Sequence, residues 1–349
     1  MAISTDKKLY IAIGVLVLAG GAVYLQNQNQ SKEAEAHSQV DQAKNLPKLE
    51  LKDEQLKKVD RVTITQPAGD AGLPTEVVLV KKGEEWELEK PVAAKANQAN
   101  VKSLIDNLKT LKVTDVINPD ASAYAKYKVS DDTALHAVFK AGSDTVADYY
   151  FGEGGSRGQM TRFAGKDGVF AVDGYSSFLY SRDLKDWRDR EIFKFEEKDA
   201  TAVEIENENG VFSFEKSGDT WAAKFKKPKG AAAAKLDRFD SAKIEDLLRA
   251  YKALSANDFT QDKKPEDIGL ATPKAKLTIT MKDGGKKTLY VGDKAEGSDR
   301  YAKAEGSDAI ITVSSFAADW ATAEPSKFQK PDDKKDKDKD KPKAGEDAE

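Results

Sequence analysis

The sequence predicts an α+β protein built as two tandem repeats of one module, an antiparallel sheet packed by one amphipathic helix, preceded by a single N-terminal transmembrane helix. Three observations predict it. A long series of features recurs in the same order after a shift of about 140 residues. Each series alternates short period-two segments with one helical stripe. An uncharged apolar run, Leu9–Leu25, stands alone at the start of the chain.

The apolar run comes first. As a helix, residues 9–25 span about 25 Å, close to the roughly 30 Å hydrocarbon core of a bilayer. Tyr10 and Tyr24 sit near its ends, where interfacial aromatics lie, and Lys7-Lys8 precede it. That charge bias predicts residues 1–8 in the cytoplasm, an anchor at 9–25 and the rest outside. A cleaved signal peptide is the alternative, with Gly20-Gly21-Ala22 as the processing site, and it too places the body beyond the membrane. Residues 26–47, rich in Gln, Asn, Ala and Glu, read as a stalk, with His37 a solvated bystander.

The body divides into repeats at 48–193 and 194–329. Val59–Ile64 matches Ala200–Ile205, and both alternate as strands do. Val80–Trp86 matches Phe214–Trp221: a strand, a glycine turn, then a return strand opened by tryptophan. The helical stripes are Val101, Leu104, Ile105, Leu108, Leu111 and Ile244, Leu247, Leu248, Tyr251, Leu254. Asn97 and Asp240 stand before them as N-cap candidates. Tyr127-Lys128-Val129 then matches Ile268-Gly269-Leu270, and strands are expected at Ala134–Lys140 and Lys276–Met281. Tyr149–Gly152 pairs with Leu289–Gly292, Arg162-Phe163 with Arg300-Tyr301, and Val169–Val172 with Ile310–Val313. Short helices close both copies at Ser176–Tyr180 and Ser314–Trp320. Each copy thus reads strand, hairpin, long helix, four short strands and a terminal helix, with Leu184–Arg190 connecting them.

These features carry a resemblance. The hairpin opened by Trp, the Tyr-Lys-Val and Ile-Gly-Leu steps, the Phe-Gly and Val-Gly strand ends and the Trp187-Arg188-Asp189-Arg190 connection resemble the bacterial family called domain of unknown function 4340, over roughly residues 50–328. The resemblance implies a membrane-tethered envelope protein whose relatives are often encoded beside gliding-type ABC transporter components. It implies no catalytic residues. The first copy departs from the family's usual Tyr-Gly-Leu step with Tyr127-Lys128-Val129, so that turn is expected to differ.

Composition narrows the chemistry. Fifty-six basic residues against 60 acidic give a net charge of -4, with the signs interleaved, and a pI near 5.6 makes a nucleic-acid partner a poor expectation. With no cysteine, disulfides, thiolate nucleophiles, a lipoprotein anchor and cysteine zinc sites are excluded. The glycine-rich stretch Phe151–Gly158 is followed by a strand rather than a helix, so a hairpin is expected rather than a phosphate cradle. Asp336, Asp338 and Asp340 mimic calcium ligands, but Lys341 stands where the loop needs glycine, and residues 330–349 read as a disordered charged tail. His136 lies on a strand and reads as structural, with Thr278 or its neighbour as its counterpart. The acids of Glu84-Glu85, Glu196-Glu197 and Glu204/Glu206 are expected to point apart. No cofactor or metal is expected.

Trp86 and Trp221 are expected in the cores, or else as a paired binding face. Trp187, flanked by Arg188 and Arg190, is expected to brace the two repeats. The expectation is a non-enzymatic, membrane-tethered scaffold or accessory subunit outside the bacterial inner membrane, engaging an envelope or transporter protein. A glycan- or peptide-binding module and an unrecognised hydrolase are the alternatives.

Overall fold

A computed structural model of the chain describes residues 46–49, 51–68, 75–228 and 232–331. The expected anchor at 9–25, the stalk up to residue 45, His37 and the tail aspartates lie outside them. Among the described residues no helix is long and apolar enough to cross a membrane. The chain forms two compact units that divide between Asp189 and Arg190. The division falls slightly before the expected one because Arg190–Phe195 belongs by its hydrogen bonds to unit 2: Ala256 N–H donates to the Arg190 carbonyl (2.8 Å) and Ile192 N–H to that of Leu254 (2.8 Å).

Unit 1 contains β1 Arg61–Gln66, β2 Thr75–Lys82, β3 Glu85–Lys90, β4 Ala94–Lys95, β5 Lys112–Asn118, β6 Leu135–Ala141, β7 Asp144–Gly155, β8 Gly158–Phe163 and β9 Val169–Asp173. They form one antiparallel sheet in the order β4-β3-β2-β1-β6-β7-β8-β9-β5. Unit 2 contains β10 Ala200–Asn207, β11 Gly210–Ser217, β12 Thr220–Lys226, β13 Ala234–Lys235, β14 Asp258–Thr260, β15 Ala275–Met281, β16 Lys286–Lys294, β17 Arg300–Ala304 and β18 Ile310–Val313. Its order, β13-β12-β11-β10-β15-β16-β17-β18-β14, is the same order, position for position. A duplicated module explains this. Two unrelated nine-stranded sheets would have no reason to place the strand after the helix at the far edge in both cases.

The local physics is also shared. Gly83 and Gly218 adopt left-handed backbone (φ +64° and +60°) that turns β2 into β3 and β11 into β12. Trp86 and Trp221 follow on the return strands and are buried. The long helices run over Gln98–Asn107 and Ala242–Tyr251, shorter than the stripes suggested. Leu111 and Leu254 are still buried, but from the turn beyond the helix. Val101, Leu104 and Ile105 join Val62, Ile64, Leu79 and Phe139 in one core. Ile244, Leu247, Leu248 and Tyr251 join Val203, Ile205, Phe212 and Ile279 in the other. Each such side chain contributes about 1.5–3 kcal/mol on burial.

Capping differs between the copies. Asn97 caps its helix as expected, its side chain accepting from Asn100 N–H (3.1 Å). In unit 2 the N-cap position is Ser241, which makes no side-chain cap, and Asp240 serves from one position earlier, its side chain accepting from Ala242 N–H (3.2 Å). The Ser241 hydroxyl accepts instead from Trp221 N–H (3.0 Å), as the Gln98 side-chain carbonyl accepts from Trp86 N–H (2.8 Å).

Both units close in the same manner. Asn97 N–H donates to the Trp187 carbonyl (2.9 Å) and Asp189 N–H to that of Lys95 (2.8 Å). In unit 2, Asp240 N–H donates to the Phe328 carbonyl (2.9 Å) and Lys330 N–H to that of Arg238 (2.9 Å). Trp187 and Phe328 are fully buried where these closing segments end.

Candidate functional site

Core residues alternate along the central strands, so the residues between them lie on the sheet face turned away from the long helix. In unit 1, register sets His136 of β6 opposite Tyr150 of β7, and Tyr150 opposite Arg162 of β8. The three side chains form a stack. The His136 and Tyr150 rings lie parallel, centroids 3.9 Å apart, and the Arg162 guanidinium sits 3.6 Å from the Tyr150 centroid. A carboxylate holds each end: His136 Nε2 is 2.7 Å from Asp148 Oδ1, and Arg162 donates to Asp131. Tyr124 lies near the same guanidinium, 4.8 Å from its carbon.

This row is half-buried, with the His136 and Asp148 side chains 26% and 28% exposed. Burial, then the Asp148 and Asp131 carboxylates, hold the Tyr150 phenol above its ordinary value against the opposing pull of Arg162. Chemically the row offers an imidazole oriented by a carboxylate and a phenol that stays protonated at neutral pH. Asp148 and Tyr124 were missed by sequence reasoning, whereas the pair Asp131-Asp132 was visible as carboxylates near His136, and Asp131 binds Arg162 rather than the imidazole. Asp148 could have been found from its place two residues before Tyr150 on an alternating strand.

The counterpart row in unit 2 is set by the same register. Lys276 stands opposite Tyr290, and Tyr290 opposite Lys303. The residue in the place of His136 is therefore Lys276, not Thr278, and the residue in the place of Arg162 is Lys303, not Arg300. The Arg162/Arg300 pairing fails because matching the Arg-aromatic motif slides β17 out of register. The irregularity between Val291 and Lys294 has its counterpart between Phe151 and Gly154, and with the two aligned Arg300 falls in the place of Gln159. Lys276 Nζ lies 5.9 Å from the Tyr290 ring centroid.

The remaining sequence candidates are placed as follows. Trp86 and Trp221 are 8% and 6% exposed and belong to their own cores. Trp187, expected as a brace between repeats, is a fully buried core side chain of unit 1. Arg188 is buried beside it and bridges to Ala96, while Arg190 begins unit 2. Phe151–Gly158 forms the end of the β7–β8 hairpin, Gly155 paired with Gly158. Glu204 and Glu206 both face solvent on one side of β10, a correction that follows from their two-residue spacing on a period-two strand. Among the described residues no group of three or more His, Asp or Glu side chains gathers as a metal site.

One repeated surface feature went unnoticed in the sequence. Phe178 and Phe316 are 69% and 66% exposed, the exposed large hydrophobic side chains among the described residues. Each is the second residue of the short helix that follows the last strand of the preceding run, Ser177–Tyr180 and Ser315–Ala321. The Ser-Ser-Phe triplet in both copies was the available signal. The Arg182 guanidinium lies over the Phe178 ring, 4.4 Å from its centroid.

The family model described as Domain of unknown function (DUF4340) matches residues 86–273 and 266–334, a span that crosses from unit 1 into unit 2. No curated protein and no solved structure matches the chain.

Proposed function

The chain belongs to the DUF4340 family, and from that premise we propose a non-enzymatic, membrane-tethered scaffold or accessory subunit of a bacterial envelope complex, such as an ABC-type transporter. The apolar run at residues 9–25 is the tether in this reading, and the two modules work on the extracytoplasmic side. The observation that carries it is the repeated exposed phenylalanine. A single exposed apolar side chain calls for no explanation, since much of any folded surface is apolar. Phe178 and Phe316 differ in that the same large ring is left in water at the same place in both copies. A scaffold that presents one contact per module accounts for that repetition.

The test is recovery of partners from membranes in mild detergent, with the tag on the C-terminal tail. The full chain is compared with a version lacking residues 1–30 and with Phe178→Asp and Phe316→Asp. Stoichiometric recovery of the same membrane proteins by the full chain, reduced by either aspartate, supports the reading. Recovery of the chain alone, or recovery untouched by both substitutions, sinks it.

A further inference from the structure

We propose that unit 1 binds a carboxylated sugar in the cavity beside Trp86. This site stands apart from the scaffold reading. The cavity, about 380 Å³, lies between the short helix Asp53–Lys57, the hairpin of β2 and β3 and the long helix Gln98–Asn107. Its apolar lining is Leu56, Val59, Ile105 and Trp86. Its rim carries Lys57, Lys81, Lys102 and Lys109 against Asp53 and Asp106.

The ion pairs decide what charge is left over. Lys109 Nζ is 2.9 Å from Asp53 and 3.7 Å from Asp106, and Lys102 bonds to Asp106 as well. Both carboxylates are thereby taken. Among the described residues Lys57 and Lys81 form no ion pair, so the rim has two ammonium groups in excess. The backbone at the floor cannot help a ligand. Trp86 N–H donates to the Gln98 side-chain carbonyl, and the Trp86 carbonyl accepts from the Gln98 amide, each at 2.8 Å. A ligand therefore meets donors and positive charge at the rim and apolar surface at the wall.

That combination selects an anion with an apolar face. A cavity of this size is at the small end of the roughly 300–1,000 Å³ usual for ligand pockets, which favours a single ring over an extended chain. A pyranose with a carboxylate presents its C–H face to indole and aliphatic carbon, and its charge and hydroxyl oxygens to lysine. Unit 2 supplies an internal contrast. Its helix keeps the equivalent cross-link, Lys252 Nζ to Glu197 at 2.8 Å, but places Glu245 where unit 1 has Lys102. Lys216 stands opposite Trp221 as Lys81 stands opposite Trp86. Arg249 stands where unit 1 has Asp106, so the two helix charges exchange places and the contrast between the units lies in how the charges are arranged rather than in their sum.

The experiment titrates the full chain in mild detergent with glucuronate and, separately, glucose, following heat on injection. Variants Lys81→Glu and Lys57→Glu test the rim, and Lys216→Glu is the unit 2 control; near-ultraviolet circular dichroism checks that each is folded. The expected result is saturable glucuronate binding with glucose at least about tenfold weaker. Lys81→Glu and Lys57→Glu each weaken glucuronate by about tenfold or more, and Lys216→Glu leaves it unchanged. Absence of saturable binding, equal binding of glucose, or an equal loss in Lys216→Glu overturns the proposal.

Discussion

Tyr150 of unit 1 and Tyr290 of unit 2 occupy the same place on the same sheet, and their surroundings differ. Tyr150 is sandwiched between an imidazole and a guanidinium, each tied to a carboxylate. Tyr290 is flanked across the strands by Lys276 and Lys303, and its hydroxyl reaches Glu305 at 3.4 Å. The inward residues between them, such as Ala137 and Leu277 or Phe151 and Val291, are buried in both copies. The frame is held by the inward set and by backbone pairing, so the outward set is free to change. A function that differs between the modules is expected on outward positions, and the frame on its own says little about it.

The largest expected effect tests whether each unit is closed by its own segment. Trp187→Ala and Phe328→Ala remove fully buried side chains and each costs about 3–5 kcal/mol. Hydrogen exchange read by mass should show the loss confined to residues 46–189 for the first and 190–331 for the second. Loss of protection spreading evenly through both units would break the parallel between the two closures.

Alkaline pH should then separate the units. Burial pushes the Tyr149 and Tyr175 phenols up to about 12 and Tyr180 higher still, all in unit 1, while unit 2 has Tyr251 raised by burial. An unfolded phenol ionises near 10. The folded values are raised, so this stability is fully present below pH 10 and is lost as pH rises through 10 toward 12. Each phenol removes up to about 1.4 kcal/mol per pH unit in that window. Exchange protection should fail in unit 1 before unit 2, and the reverse order would contradict the burial of these rings.

A smaller difference is expected from the outward rows. His136→Ala loses a stacked ring and a hydrogen bond to a carboxylate, about 1–1.5 kcal/mol, whereas Lys276→Ala stays within about 0.5 kcal/mol. Denaturant midpoints for the two variants check this, and equal shifts would mean that the unit 1 stack contributes nothing special.

The smallest effect concerns one turn. Lys128 (φ +54°) and Gly269 (φ +68°) hold the same left-handed position, so the turn expected to differ has one conformation in both copies. The packing around it is also shared: a Cβ on Gly152 would collide with the Tyr127 carbonyl, and one on Gly292 with that of Ile268. Lysine there is strained, and its exposed pair with Glu153 offsets little of the cost. Lys128→Gly should stabilise unit 1 by about 0.5–1 kcal/mol and Gly269→Lys should destabilise unit 2, measured as shifts in thermal midpoint.

Much of the module was legible because its signals are local. Gly83 before Trp86, the stripe from Val101 to Leu108 and the strand end at Phe151-Gly152 each rest on turn chemistry or side-chain period within a few residues. β4 and β13 were not legible, since two residues show no period. β5 and β14 were missed because they follow the helices directly and become strands only by pairing with β9 and β18 at the sheet edge. Of the candidate site, His136 was visible as a residue, but its stack with Tyr150 and Arg162 was not.

The sequence by itself determined that one module occurs twice, where its hairpins turn and which helix face is buried, because repetition and periodicity need only neighbouring residues. The tertiary structure decided which residues share a row. It set Lys276 and Lys303 beside Tyr290, seated Trp187 inside unit 1 and left Phe178 and Phe316 in water. The first depends on cross-strand register and the others on how short helices pack on the core, and both are contacts between segments that lie far apart along the chain.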